Sequence, residues 1–77
     1  MNKDRRNRLS KASSLLEDAK TMIEEVRDEE QDAFDTLPEG IQDSERGEQM
    51  QEYIESMEDA LGYLEDVIDY IDEIWNQ

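Results

Sequence analysis

Carboxylates supply almost all of the side chains with which this sequence could do chemistry. Among its 77 residues are 23 aspartates and glutamates against eight lysines and arginines, with no histidine and no cysteine. Acid–base catalysis by two carboxylates needs groups of different pKa in a cleft shielded from water, and no such cleft is indicated here. The usual nucleophile motifs and the glycine-rich phosphate loop are also missing. We therefore predict that the protein is not an enzyme.

Metal binding is the second chemistry that so many carboxylates suggest. Di-iron helical bundles use Glu-x-x-His motifs, which a chain without histidine does not contain. The acidic runs DEEQD and DYIDE lack the central glycine and the alternating ligands of an EF-hand loop. We therefore expect no specific metal site and no cofactor.

Two tyrosines in the last third of the chain form a third candidate site, for a partner protein. Tyr63 and Tyr70 are seven residues apart, so they share one side of a helix. Aromatic residues are enriched at protein–protein contacts. The acidic residues grouped with them as candidate partner-binding residues are Asp59, Asp66, Asp69 and Glu73. The alternative is that these tyrosines are ordinary surface residues, or that they pack on a second copy of the chain.

The elements that carry these residues follow from the apolar pattern, which steps by three and four residues in both halves of the chain. The first half contains Leu9, Ala12, Leu16, Ala19, Ile23, Val26, Glu30, Ala33 and Leu37, where the carboxylate of Glu30 marks either the end of the seam or a polar layer that fixes register. The second half contains Met50, Ile54, Met57, Leu61, Leu64, Ile68, Ile71 and Trp75. This pattern predicts an all-α fold in one domain, residues 1–77, with helices over about 4–36 and 44–76. A turn over about 37–43 is too short for anything but an antiparallel, coiled-coil-like two-helix hairpin.

The turn has its own local signals. Pro38 disfavours helix at the preceding residue, so we expect the first helix to end near Thr36. Thr36 and Glu39 have capping-box spacing, which suggests a short helical turn after Pro38. Either Asp43 or Ser44 is expected to cap the second helix.

The flanks of the apolar seam differ in character when Leu9 and Ile54 are taken as heptad position a. At the e positions, Lys20 and Arg27 of the first helix would oppose acids of the second helix, namely Glu58, Glu65 and Asp72. The g positions are apolar instead: Leu15 and Met22 in the first helix, and Tyr53, Ala60, Val67 and Ile74 in the second. A lone hairpin would leave this g flank in water.

The apolar flank predicts self-association. Two hairpins that pack their g flanks together would form a homodimeric four-helix bundle, which buries a wide apolar stripe on every helix. The self-association candidates are Leu15, Met22, Tyr53, Val67 and Ile74. The alternative is that these residues only broaden the contact within one hairpin.

Charge restricts the possible partners. The formal net charge is −15, and no lysine or arginine follows Arg46. Nucleic acid and anionic lipid both require a basic surface, so neither is expected to bind directly. We expect the basic start of the first helix and the acidic end of the second to supply counter-charge to each other. A membrane span and the apolar run of a signal peptide are both missing, which predicts a cytoplasmic location.

Residues 28–50, DEEQDAFDTLPEGIQDSERGEQM, resemble a signature of small acidic helical-hairpin proteins encoded by phages and mobile elements of Gram-positive bacteria. The form there is roughly DEEQ-x-AFD-x-LPE-x-x-Q-x-SERGE between heptad helices. The resemblance implies a hairpin fold and a location in the host-cell cytoplasm, and it assigns no functional residues.

Two hypotheses about function follow. Phages commonly make small, very acidic proteins that occupy nucleic-acid-binding grooves of host defence proteins. By analogy of charge and size, this chain would be a DNA-mimic-like inhibitor that docks its acidic face into such a basic groove. The alternative is a structural or assembly protein, a helical bundle whose acids only keep it in solution.

Overall fold

A computed structural model describes residues 1–77 as two long antiparallel helices joined by a helical turn. The helices are α1 (Lys3–Asp35), α2 (Glu39–Gln42) and α3 (Glu45–Trp75), and there is no strand. The hairpin measures 59 × 14 × 12 Å between Cα atoms. The predicted all-α hairpin is therefore confirmed, and the ends of both long helices lie one residue from the predicted ones. No helix contains an apolar stretch long enough to cross a lipid bilayer.

The first helix starts and stops where its local sequence requires. The Asn2 side chain accepts a hydrogen bond of 2.8 Å from the Arg5 backbone N–H, which caps the free N–H groups of the first turn. At the other end, Pro38 is extended, with φ −57° and ψ 146°, and α1 ends before it. The Gln42 side-chain amide then donates 3.0 Å to the Phe34 carbonyl in the last turn of α1, which also accepts from the Leu37 backbone N–H at 3.1 Å.

One capping prediction in the turn was wrong, and the other was right in position but not in its hydrogen bond. The Thr36 hydroxyl donates back to the Ala33 carbonyl at 3.0 Å, so Thr36 ends α1 and forms no capping box with Glu39. Ser44 occupies the N-cap position of α3, as predicted, but its side chain accepts no hydrogen bond from the first turn of α3, and its hydroxyl donates instead to the Ile41 carbonyl. In both cases the hydroxyl donates to a carbonyl of the preceding helical turn, a local hydrogen bond that serine and threonine side chains often form. The short helix after Pro38, however, is present as predicted.

The core of the hairpin is one row of side chains on α3. Met50, Ile54, Leu61 and Ile68 are the buried apolar residues, and the apolar α1 residues of the seam are at most half-buried. No large side chain is completely enclosed. A two-helix layer has a single internal face, so the hairpin alone buries little of its apolar surface.

Helix α1 is rotated relative to the seam that the sequence predicts. Position a is half-buried at Leu16 and Ile23, but the d residue Val26 is 48% exposed. Ser13, at an e position, is buried instead, with 6% of its surface exposed. Helix α1 thus meets α3 through positions a and e, and its d positions turn toward the apolar g flank. The predicted a/d seam of α1 was wrong in this respect, and the apolar flank is wider than expected.

Candidate interaction surfaces

Polar contacts between α1 and α3 fix the register of the hairpin. The Lys20 ammonium binds the Glu65 carboxylate at 3.0 Å, and the Ser13 hydroxyl donates 2.6 Å to Asp72 Oδ1. Seven residues forward on α1 correspond to seven residues back on α3, as antiparallel e-to-e pairing requires.

The Glu65 hydrogen bond is the largest cause of a raised pKa at Lys20. Desolvation lowers this pKa by less than the hydrogen bond raises it, and nearby negative charge, at Glu65 and then at Glu17 and Glu24, raises it further.

The second of the two predicted e-to-e ion pairs, that of Arg27, does not form. Arg27 donates from Nε and from a terminal nitrogen to Asp28 Oδ1, at 3.1 and 3.0 Å, and makes no ion pair with Glu58. A carboxylate on the next residue of the same helix accepts both bonds without any reach across the seam. Opposite charge at the e positions was therefore an incomplete guide, correct for Lys20 and wrong for Arg27.

The prediction that the basic start of α1 and the acidic end of α3 pair their charges directly was also wrong. Arg8 pairs at 3.1 Å with Asp4, one turn away in its own helix, and no ion pair joins the start of α1 to the end of α3. Asp72 instead accepts hydrogen bonds from two neutral donors, the Ser13 hydroxyl and the indole N–H of Trp75 at 2.7 Å. The opposite charges at this end act on each other only over a distance.

One long side of the hairpin is apolar and exposed, and we call it the apolar face. Its side chains are between 43% exposed, at Val67, and 66% exposed, at Met22. All five predicted self-association residues belong to it, and Val26 joins them because of the rotation of α1. The apolar face consists of Leu15, Met22 and Val26 on α1 and of Tyr53, Val67 and Ile74 on α3.

A groove crosses the middle of the apolar face between the two helices. Its volume is about 350 Å³, and it is lined by Met22, Ile23, Val26, Ser56, Met57 and Ala60. Two of its three α3 residues, Ser56 and Ala60, are small, and its α1 residues are all larger. The apolar face thus has both projecting apolar side chains and an apolar groove. Interfaces whose side chains interdigitate have both features.

The acidic residues predicted to bind a partner lie away from the apolar face. Asp59, Asp66, Asp69 and Glu73 are exposed. None of them forms an ion pair or a side-chain hydrogen bond, so their charges are uncompensated by direct contacts. We call this set the acidic face. No group of three acidic side chains converges closely enough to hold a metal ion.

Tyr63 and Tyr70 stand between the two faces. They are 71% and 70% exposed, and each lies four residues before an apolar-face residue, Val67 and Ile74 respectively. Four residues of helix turn through 400°, so the tyrosines border the apolar face on one side. Tyr70 also lines a shallow pocket with Asp66, Asp69 and Glu73, on the acidic side. The sequence analysis grouped the tyrosines with the acidic residues and did not predict that they also border the apolar face.

Comparisons with protein-family models, with curated proteins and with solved structures find no match for this chain.

Proposed function

We propose that the protein is a non-enzymatic protein–protein interaction module with two working surfaces. The apolar face pairs with a second copy to form a four-helix bundle, and the acidic face docks into a basic groove of another protein. The observation that carries this proposal is the segregation of exposed side chains, with apolar residues on one long side and uncompensated carboxylates on another.

Self-association is supported by what the single hairpin leaves uncovered. One whole long side is about 59 × 14 Å between Cα atoms, or about 800 Å², the area that each partner of a standard interface buries, and the apolar face occupies part of that side. Contiguous apolar patches of several hundred Å² on small proteins mark interaction sites. A domain of this length also rarely gains enough stability from one small core, and here no large side chain is enclosed.

The charge of α3 supports docking into a groove built for nucleic acid. Duplex DNA has one negative charge per about 1.7 Å of axis. Helix α3 carries ten acids from Glu48 to Glu73, or one per about 4 Å along the helix, and a dimer doubles the number. This density is lower than that of DNA but is sufficient to compete for lysines and arginines. Mimicry of this kind weakens as salt rises, because the attraction is electrostatic.

A capture experiment with two matched variants tests the acidic face. The test variant is Asp59→Asn, Asp66→Asn, Asp69→Asn, Glu73→Gln. The control neutralises four acids on α1 instead: Glu17→Gln, Asp18→Asn, Glu24→Gln and Glu25→Gln. Both variants have the same net charge. Each protein is immobilised and exposed to a nuclease-treated lysate of a Gram-positive bacterium, and bound proteins are challenged with duplex DNA.

We expect the wild type and the control to retain a nucleic-acid-binding protein that duplex DNA releases, and the test variant to retain none. Binding that survives high salt, or that the test variant keeps, would contradict docking by mimicry. Identical behaviour of all three proteins would favour the alternative function, a bundle that assembles through the apolar face and whose acids only keep it in solution.

A further inference from the structure

The apolar face carries a charge pattern along α1 that bears on how two copies meet. Leu15 and Met22 occupy consecutive g positions, and the g positions on either side are Arg8, toward the open end, and Glu29, toward the turn. The row therefore runs basic, apolar, apolar, acidic. Such a row is complementary to itself when reversed, because Arg8 then meets Glu29 while Leu15 meets Met22.

The two possible face-to-face dimers use this row differently. When the two-fold axis runs along the hairpin, like ends lie together and α1 packs on the partner's α3. When the axis runs across the hairpin, the copies are head to tail and α1 packs on the partner's α1, antiparallel. Only the head-to-tail dimer brings Arg8 to Glu29 of the second copy. In the other dimer, Glu29 lies at the level of Tyr53, and the nearest base of the α3 g row, Arg46, is one heptad further toward the turn.

The g row of helix α3 is also compatible with a two-fold axis that runs across the hairpin. This row begins with Arg46 beside the turn and continues with Tyr53, Ala60, Val67 and Ile74, an apolar stretch that is centred between Ala60 and Val67. The α1 row is centred between Leu15 and Met22, and Met22 and Ala60 line one groove. The centres of the two rows thus lie at nearly the same level of the hairpin, so one transverse axis serves both helices.

The distribution of charge along the hairpin independently favours this arrangement. Residues 24–58, which form the half nearest the turn, hold fourteen of the 23 acids and only two of the eight bases. At the open end, residues 1–14 and 66–77 hold five bases and five acids. A dimer with like ends together would place two strongly acidic turn halves side by side, within a screening length of about 8 Å in physiological salt. A head-to-tail dimer places them at opposite ends.

We infer that the apolar face takes a second copy of this chain head to tail, with α1 against α1 and the turn of each hairpin beside the open end of the other. This inference rests on the proposed self-association. It adds an orientation, and with it a symmetric bundle that carries an acidic turn at each end.

Distances between spin labels test the orientation, and the absence of cysteine allows single-site labelling. A Cβ atom at Gly40, in the turn, or at Gly62, near the middle of α3, would meet nothing within 4 Å, so G40C and G62C tolerate a label. In a head-to-tail dimer, the labels at position 40 are separated by nearly the 59 Å length of the hairpin. With like ends together they would be about 20 Å apart, two helix diameters. The labels at position 62 are about 20 Å apart in either dimer.

We expect a long distance from G40C and a short one from G62C, measured by pulsed dipolar spectroscopy on each variant as its own dimer. Short distances from both variants would overturn the orientation while keeping the dimer. No intermolecular distance from either variant would mean a monomer, which overturns both the orientation and the proposed self-association.

Discussion

Gly47, in the first turn of α3, packs directly on the backbone of Gln42 at the end of α2. A Cβ atom at position 47 would stand 2.0 Å from the Gln42 carbonyl oxygen and 2.6 Å from its carbonyl carbon. Only a residue without a side chain fits there. The second glycine of the turn segment therefore sets how closely α3 follows α2, and the SERGE motif has a structural role in bringing α3 back along α1.

We expect Gly47→Ala to destabilise the hairpin by about 1–3 kcal/mol, the usual cost of forcing extra atoms into a packed site. Gly62→Ala is the matched control, because a Cβ atom at position 62 has open space around it. That control should stabilise the protein by about 0.5–1 kcal/mol through helix propensity. Urea unfolding followed by circular dichroism measures both, and equal effects of the two substitutions would contradict the close packing.

Asp72 joins the two helices at the open end, where its Oδ1 accepts hydrogen bonds from Ser13 and Trp75. We expect Asp72→Ala to cost about 1–3 kcal/mol, because it leaves the buried Ser13 hydroxyl without its acceptor. Asp72→Asn should be much milder, since an amide oxygen can still accept both bonds. Asp69→Ala removes an exposed acid three residues away and should not destabilise. Thermal unfolding that ranks Asp69→Ala with Asp72→Ala would exclude this role.

The raised pKa of Lys20 gives the register contact a pH dependence. Because the pKa of Lys20 is higher in the folded chain than its ordinary value of 10.5, its ion pair with Glu65 stabilises the fold fully below about pH 10.5. That contribution is lost as the pH rises through the higher folded pKa. We expect wild type to be more stable than Glu65→Gln at pH 8, and the difference to shrink at alkaline pH. A difference that stays constant from pH 8 to beyond about pH 11 would show that the contact is not ionic.

Sequence periodicity was sufficient to predict the helices, the break at Pro38 and the Lys20–Glu65 contact. It did not predict the rotation of α1, because the pattern ranks Ser13 as polar and Val26 as apolar. Ser13 is buried because Asp72, distant in the sequence, supplies an acceptor for its hydroxyl. Periodicity within one helix contains no information about such an acceptor.

The candidate surfaces were predicted with similar limits. The apolar g positions predicted the exposed residues Leu15, Met22, Tyr53, Val67 and Ile74. The boundary position of Tyr63 and Tyr70 was missed, although their spacing of four residues from Val67 and Ile74 was a signal for it. The packing of Gly47 on Gln42 was not foreseeable either, since it depends on the path of the backbone between α2 and α3.

Net charge should make the stability of the fold depend on salt. With a formal charge of −15 and few ion pairs, repulsion between unpaired carboxylates opposes folding. The screening length falls from about 30 Å at 0.01 M salt to about 10 Å at 0.1 M, so added salt weakens this repulsion. We expect the melting temperature at pH 7 to rise between these two concentrations. A fall would mean that the ion pairs, which salt also weakens, outweigh the repulsion.

The central claim is that the apolar face is covered by a second copy, and sedimentation equilibrium at micromolar concentration tests it most directly. Met22→Glu places a charge in the middle of the apolar face, while Thr21→Glu adds the same charge at the neighbouring exposed position on another side of α1. We predict twice the 9.1 kDa chain mass for wild type and for Thr21→Glu, and 9.1 kDa for Met22→Glu. A wild-type mass of 9.1 kDa, or a dimer that Met22→Glu leaves intact, would contradict the account.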